Sequence, residues 1–317
     1  MKDLETPQPA AEKFKDPFLT AKGEARASVA LSNPQTLWFN TGTLCNIECE
    51  NCYILSSPKN DALVYISAEE VRDYLDQLET RKWNVREIAF TGGEPFMNHE
   101  MIDITRASLE RGYDVLILTN AMRPMMRKSM RTGLLELNAT YPGKLTMRIS
   151  VDHWDVDNHD KERGAGTFAK TIEGMTWLQE NGFKMAVAGR TVWGESDLES
   201  RKGYSALFAE HGFDIDADNP AETVLFPEMD ETVDVPEITT ACWGILDKSP
   251  DAMMCASSRM VVKRKGAEKP AVLACTLLPY SEEFEMGTTL EQAEGSVQLN
   301  HPHCAKFCVL GGASCSA

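Results

Sequence analysis

The sequence predicts an α/β fold: an open or partial (β/α)6 barrel, then a small, irregular, Cys-rich C-terminal domain containing a β-hairpin. Three observations carry that expectation. Short apolar runs alternate with amphipathic helical stretches about six times between residues 34 and 235, the rhythm of right-handed crossovers feeding a parallel sheet. Asp114–Thr119, DVLILT, is a continuous apolar run of the kind found in strands covered on both faces. After Pro236 helical periodicity fades while cysteines and glycines rise. About six units are too few to close an eight-unit barrel.

Residues 1–33 are polar, contain proline and show no sustained period, so they read as a tail or wrapping arm. Leu37–Asn40 is a short strand leading into the first cysteines. Ser67-Ala68-Glu69-Glu70 is a capping box that opens a helix with Val71, Leu75 and Leu78 on one face. Glu87–Thr91 is the next strand, followed by a helix from about Asn98 to Arg111 that Gly112 stops. A helix follows Pro124 after the DVLILT strand. Leu145–Val151 is a strand, Thr167–Asn181 a helix closed by Gly182, and Met185–Val192 a fifth strand. Ser196 and Glu199 form a second capping box ahead of a helix ending near Gly212, and Thr223–Phe226 is a sixth short strand. The barrel unit thus spans 34–235. In the segment 236–317, Arg259–Lys263 and Ala271–Cys275 form a hairpin around Lys265–Gly266. In folds of this kind chemistry sits at the C-terminal ends of the strands.

The hydrophobic share of 43% and charged share of 25% are those of a folded globular protein. A formal net charge of −16 repels a phosphate backbone, which argues against nucleic acid; Lys263–Arg264–Lys265 is only long enough to decorate a turn. No stretch approaches the roughly 20 apolar residues that span a bilayer. Met1–Lys22 lacks an apolar signal core, so a cytoplasmic protein without membrane partners is expected. In that reducing compartment nine cysteines need a reason other than disulfides. Three stand together at Cys45, Cys49 and Cys52, and six fall between Cys242 and Cys315, which reads as two metal sites.

Cys45-x3-Cys49-x2-Cys52 directly follows a strand, and a short loop lets three thiolates converge on one iron–sulfur cubane. Three protein ligands leave one iron of a four-iron cluster open. The alternative is zinc, which takes four ligands, with His99 to complete the set. One β/α unit later, Thr91-Gly92-Gly93-Glu94-Pro95 ends a strand and offers backbone and a carboxylate at the same rim, acceptors suited to a cationic ammonium group.

Cys45-x3-Cys49-x2-Cys52 together with Gly92-Gly93-Glu94-Pro95 resembles the signature pair of the radical S-adenosylmethionine (SAM) superfamily, over roughly residues 35 to 230. The resemblance implies a partial (β/α)6 barrel and a 4Fe–4S cluster whose open iron chelates the amino and carboxylate groups of SAM. It implies that Gly92, Gly93, Glu94 and Pro95 contact the methionine ammonium. Reduction of the cluster, by a partner such as flavodoxin or ferredoxin, then cleaves SAM to methionine and a 5′-deoxyadenosyl radical that abstracts a hydrogen atom from the substrate. Asn51 stands where many members carry an aromatic residue, with Tyr53, a further candidate contact to the cofactor, just after the third cysteine. Ser150 and Asp152 are similar to a segment that touches the SAM ribose in some relatives. Arg163, in Asp-Lys-Glu-Arg-Gly, suits bidentate pairing with the SAM carboxylate. A strand-end cap and a surface salt bridge are the alternative readings of those two segments. Asn120, after Thr119, is another ribose candidate.

The later cysteines resemble SPASM or shorter twitch domains of the same superfamily, which hold auxiliary 4Fe–4S clusters. The shared order is cysteine, hairpin, glycine and a terminal cysteine-rich loop, with Cys255 before the hairpin, Cys275 closing it, and Cys304-x3-Cys308-x6-Cys315 at the end. Six cysteines are too few for two fully ligated four-iron clusters, so one auxiliary cluster drawn from Cys255, Cys275, Cys304, Cys308 and Cys315 is expected, with zinc or unligated thiols as alternatives. Cys242 reads as a buried thiol or a hydrogen-atom donor. His153 and His159 lie near the same rim, as proton acceptors or, more simply, caps. The expected function is SAM cleavage and hydrogen abstraction from a small metabolite or peptide. The N-terminal tail is shorter than the ~50 residues of a minimal folded domain, which tilts towards a small molecule or a peptide recognised elsewhere. A peptide or protein maturase of the same superfamily is the first alternative, and a zinc scaffold or electron-transfer protein the second.

Overall fold

A computed structural model of the chain describes residues 13–311 apart from 82, 229 and 231. Ten strands are defined: β1 Ser28–Val29, β2 Thr36–Asn40, β3 Glu87–Thr91, β4 Asp114–Thr119, β5 Leu145–Ser150, β6 Lys184–Arg190, β7 Thr223–Phe226, β8 Ser258–Val262, β9 Ala271–Leu273 and β10 Val297–Gln298. The helices are α1 Ala68–Arg81, α2 Met101–Glu110, α3 Lys128–Thr140, α4 Val156–Arg163, α5 Thr167–Glu180, α6 Asp197–His211, α7 Cys242–Ile245 and α8 Met254–Ser257. Eight strands form one sheet in the order β7-β6-β5-β4-β3-β2-β8-β9. Strands β2 to β7 are parallel throughout, the (β/α)6 arrangement expected from the alternating pattern.

Alternation along each strand sorts the two faces. Leu37 and Phe39, Ile88 and Phe90, and Val115 and Ile117 point into one core with the helices, where Val71, Leu75 and Leu78 of α1 meet them. Trp38, Ala89 and Leu116, from the intervening positions, join a second core with Met253, Met254, Met260, Val262, Phe307 and Val309. The C-terminal segment therefore fills the other face of the sheet. Both sequence-predicted capping boxes are present: Glu70 N–H donates to Ser67 Oγ at 3.2 Å and Ser67 N–H to Glu70 Oε2 at 2.9 Å, with the reciprocal pair at Ser196 and Glu199.

Four elements differ from the sequence expectation. Helix α2 starts at Met101, because a 3-10 turn at Pro95–Met97 comes first, and α3 starts at Lys128, four residues beyond Pro124. The extra helix α4 connects β5 to α5, capped by the Asp155 carboxylate accepting from Asn158 N–H at 3.2 Å. The β8–β9 hairpin extends the main sheet, since β8 pairs parallel with β2 from Thr36↔Ser258 to Phe39↔Val261. The N-terminal arm also joins this part: β1 pairs antiparallel with β10, and the buried Arg26 guanidinium meets Glu237 at 2.6 Å. No helix among the described residues is long and apolar enough to cross a membrane.

Candidate functional site

The C-terminal ends of β3 to β7 and the loop after β2 surround one cavity, as the strand-end rule requires. Cys45, Cys49, Cys52 and Tyr53 line it from the loop, with Gly92 and Gly93 after β3 and Asn120 after β4. Ser150 lines it at the end of β5, and Asp152 and Arg163 line it beyond that strand. Leu118, Ala188, Phe226, Leu277 and Phe307 supply apolar wall. His99 stands outside this cavity, exposed and edge-on to Tyr65, so it completes no site with the three thiols.

The two glycines bring the β3 end against the cysteine loop. Gly93 N–H donates to Gly42 O at 2.8 Å and Glu94 N–H to Leu44 O at 3.1 Å. A Cβ on Gly93 would lie 2.3 Å from Leu44 O, and one on Gly92, at φ +149°, 2.5 Å from Gly42 O. Only glycine admits that approach. Glu94 and Pro95, expected at the rim, are instead buried behind the cavity wall. The Glu94 carboxylate accepts from Thr119 Oγ1 at 2.8 Å, Asn120 N–H at 2.9 Å and Phe96 N–H at 3.1 Å, tying the β3 end to the β4 end. Burial raises its proton affinity, and those three donors oppose the rise.

Asp152 and Arg163 are brought together rather than left apart. Arg163 donates from Nε to Asp152 Oδ2 at 2.8 Å and from Nη2 to Oδ1 at 3.2 Å, leaving its Nη1 arm outside the pair. Its charge faces Cys49 and Cys45. Burial pushes the Cys45 thiol up to about 12 and the Cys49 thiol up to about 11, with Arg163 opposing in both. Metal ligation is what supplies thiolates in such surroundings. Asn120 is fixed on three sides, by Glu94, by Asn46 Oδ1 at 3.0 Å and by Met122 N–H at 3.0 Å.

Sequence reasoning missed the clamp on the cysteine loop. Asn51 donates from its backbone N–H to Glu162 Oε1 at 2.9 Å and from Nδ2 to Oε2 at 2.8 Å, while its carbonyl accepts from Arg190 Nη1 at 2.7 Å. Arg190 and Glu162 pair at 3.2 Å, and Glu50 N–H donates to Glu162 O at 2.8 Å. The unusual asparagine before Cys52 was the available signal; its partner lies 111 residues away. His153 is a cap, accepting Asp155 N–H at Nδ1 and facing Glu195 at 3.1 Å. His159 is buried against Phe168, and burial pulls it down to about 4. Neither borders the cavity.

A second cavity is lined by Cys255, Cys275, Cys304 and Cys308, with Met253, Met254, Phe284 and His303. Leu277 borders both cavities. Leu277 N–H lies 3.4 Å from Cys275 Sγ, as Ser56 N–H lies 3.3 Å from Cys52 Sγ, the backbone-to-sulfur contacts that iron–sulfur ligands use. Cys315 lies outside the described residues, and Cys242 borders neither cavity, its sulfur accepting from Thr239 N–H at 3.4 Å. Among the described residues no group of three or more His, Cys, Asp or Glu side chains is drawn together closely enough to hold a metal ion. Each basic residue of Lys263–Arg264–Lys265 pairs with a carboxylate, of Glu70, Glu285 and Asp61.

The chain is 32% identical over 162 residues to the antilisterial bacteriocin subtilosin biosynthesis protein AlbA of Bacillus subtilis, covering 50% of this chain and 34% of that one. It is 23% identical over 182 residues to the mycofactocin maturase MftC of Mycolicibacterium smegmatis, 57% of this chain and 43% of that one. It therefore spans less than half the length of these curated relatives. In fold it resembles Streptococcus suis SuiB bound to the precursor peptide SuiA, with TM-score 0.59 and 15% identity over 81% of this chain and 63% of that one. Residues 39–199, half of the chain, match the radical SAM superfamily, to which this chain belongs.

Proposed function

We propose that this chain cleaves SAM in the first cavity and matures a peptide substrate there, with an auxiliary 4Fe–4S cluster held by Cys255, Cys275, Cys304 and Cys308. One observation carries the reading: three thiols and the Gly92–Gly93 backbone wall a single cavity at the strand ends. Cys45, Cys49 and Cys52 hold the first cluster, leaving one iron for SAM. With SAM bound, that cluster supplies reductive cleavage to methionine and the 5′-deoxyadenosyl radical. The backbone of Gly92 and Gly93 offers acceptors to the methionine ammonium, while Glu94 and Pro95 act from behind by holding that backbone in place. Asp152 locks the Arg163 guanidinium and leaves Nη1 for the SAM carboxylate. Ser150, Asn120 and Tyr53 border the space left for ribose and adenine. Leu118, Ala188, Phe226, Leu277 and Phe307 keep water from a reactive intermediate.

The second cavity fits a four-iron cluster in its donor set, the four thiols that line it. A peptide is favoured over a small metabolite by an open groove from Asn51, Tyr53 and Leu55 to Leu278 and Tyr280, which shares Cys52 and Leu277 with the first cavity. The names of AlbA and MftC and the peptide bound to SuiB point the same way. A flavodoxin or ferredoxin is the expected electron donor. Anaerobic reconstitution with iron and sulfide, followed by SAM and dithionite, should yield 5′-deoxyadenosine. Replacing Cys45, Cys49 and Cys52 together by Ala should abolish that product and leave about half the iron. A fully loaded wild-type protein that makes no 5′-deoxyadenosine refutes the reading. A candidate precursor peptide made with perdeuterated residues should pass deuterium to the 5′-deoxyadenosine.

A further inference from the structure

Arg259, on β8, is 1% exposed, yet no carboxylate among the described residues pairs with it. Its guanidinium donates only to neutral carbonyls: Nε to Ala293 O at 2.9 Å, Nη1 to Cys255 O at 2.6 Å and Ser258 O at 2.8 Å, and Nη2 to Gly295 O at 3.0 Å. Arg26, buried like it, meets Glu237, and the partly buried Arg163 and Arg190 meet Asp152 and Glu162. A buried cation without a counter-charge is costly, and four carbonyl dipoles supply only part of what a carboxylate would. The hydrogen bond to Cys255 O sets the guanidinium beside Cys255, and β9, paired with β8, leads into Cys275. Both cysteines line the second cavity.

We infer that Arg259 is the built-in counter-cation of the auxiliary cluster, fixed by its four carbonyls so that its charge opposes the cluster's and raises its reduction potential. This rests on the second cavity holding that cluster. A cubane of four irons and four sulfides on four thiolates is anionic in both states it cycles between, and gains a further negative charge on reduction. A fixed positive charge nearby favours the reduced form, since net charge around a cluster sets its potential. Arg259 is therefore a positioning and tuning residue rather than a ligand.

The test uses the chain carrying Cys45→Ala, Cys49→Ala and Cys52→Ala, in which only the auxiliary cluster remains to be read. Its midpoint is followed by electron paramagnetic resonance during titration with dithionite, for Arg259, Arg259→Lys and Arg259→Met. Arg259→Met should move the midpoint to more negative potential at unchanged iron content, and Arg259→Lys should stay near the parent. An unmoved midpoint in loaded Arg259→Met overturns the inference. If the parent variant takes up no iron, the auxiliary-cluster reading itself fails, separately from the role of Arg259. A second measurement covers poor folding of Arg259→Met. In a chain whose Cys255, Cys275, Cys304 and Cys308 are all Ser, the same substitution should lower the thermal midpoint less than in the loaded chain. Equal losses in both, or failure to fold in both, would leave Arg259 as a carbonyl staple and overturn the proposal.

Discussion

Asn51 bonds through its backbone N–H, its carbonyl and its side-chain amide to two residues that come from α4 and β6. In the proposed ligation by Cys49 and Cys52, the loop between them is thereby held before any metal arrives, which lowers the ordering cost. Asn51→Ala removes one arm of this clamp and Glu162→Ala removes two. Charge-assisted hydrogen bonds contribute about 1.5–3 kcal/mol each, so each variant should release cluster iron to a chelator at least about tenfold faster. The double variant should release it no faster than Glu162→Ala, because both changes break one unit; additive rates would argue against a shared clamp. His159 belongs to the same helix and carries a different signature. Both its ring nitrogens are buried without a hydrogen-bond partner among the described residues, and burial holds its affinity for protons near 4, below the ordinary value of 6.5. Folding keeps it neutral, so the unfolded chain binds more protons between those values and stability falls as pH drops from 6.5 towards 4. His159→Leu should remove about 3 kcal/mol of that pH-dependent loss, read as a shallower decline of thermal midpoint across this window than in the parent.

At the scale of elements, strands and capping boxes were legible because their signals are local. DVLILT is apolar throughout, and Ser67 with Glu70 or Ser196 with Glu199 are only three residues apart. What the sequence hid were partners distant along the chain. Nothing in Arg259–Lys263 announces that β8 lies beside β2, and nothing in Glu162 announces Asn51. Arg163 and Asp152 were legible singly, but their pairing depends on α4, a helix too short and polar to show a periodic face. Gly92 and Gly93 serve a packing need that the motif alone did not announce: they let the β3 end meet the cysteine loop backbone to backbone. Gly93→Ala tests this. Its Cβ would meet Leu44 O, a backbone atom that cannot swing aside, so the loop or the strand end must move. We expect destabilisation of roughly 3 kcal/mol or more and loss of the first cluster's iron. Gly244→Ala, where nothing stands within 4 Å of the new methyl, is the control and should leave both unchanged.

Across the whole molecule, the second core decides whether the barrel can exist without the segment after residue 235. Trp38, Ala89 and Leu116 project from β2, β3 and β4 away from the helices, and their cover comes largely from Met253, Met254, Met260, Val262 and Phe307. The same segment supplies β8, which takes up the outer hydrogen-bonding edge of β2. It also reaches the cysteine loop directly, through Tyr280 Oη donating to Ile54 O at 2.6 Å and Val64 N–H donating to Lys263 O at 2.8 Å. A chain ending at residue 235 would therefore present an apolar sheet face to water and a β2 edge ready to pair with another copy. It should accumulate as aggregate, although the whole stretch that matches the superfamily, residues 39–199, is intact in it. Removing the four auxiliary thiols as Ser, by contrast, leaves that cover in place and should give a soluble protein that still loads its first cluster. Solubility after centrifugation and iron content of the two variants make the comparison. A soluble, iron-loaded 1–235 chain would show that the barrel stands alone, and the C-terminal segment would then matter only for the second cavity and the groove.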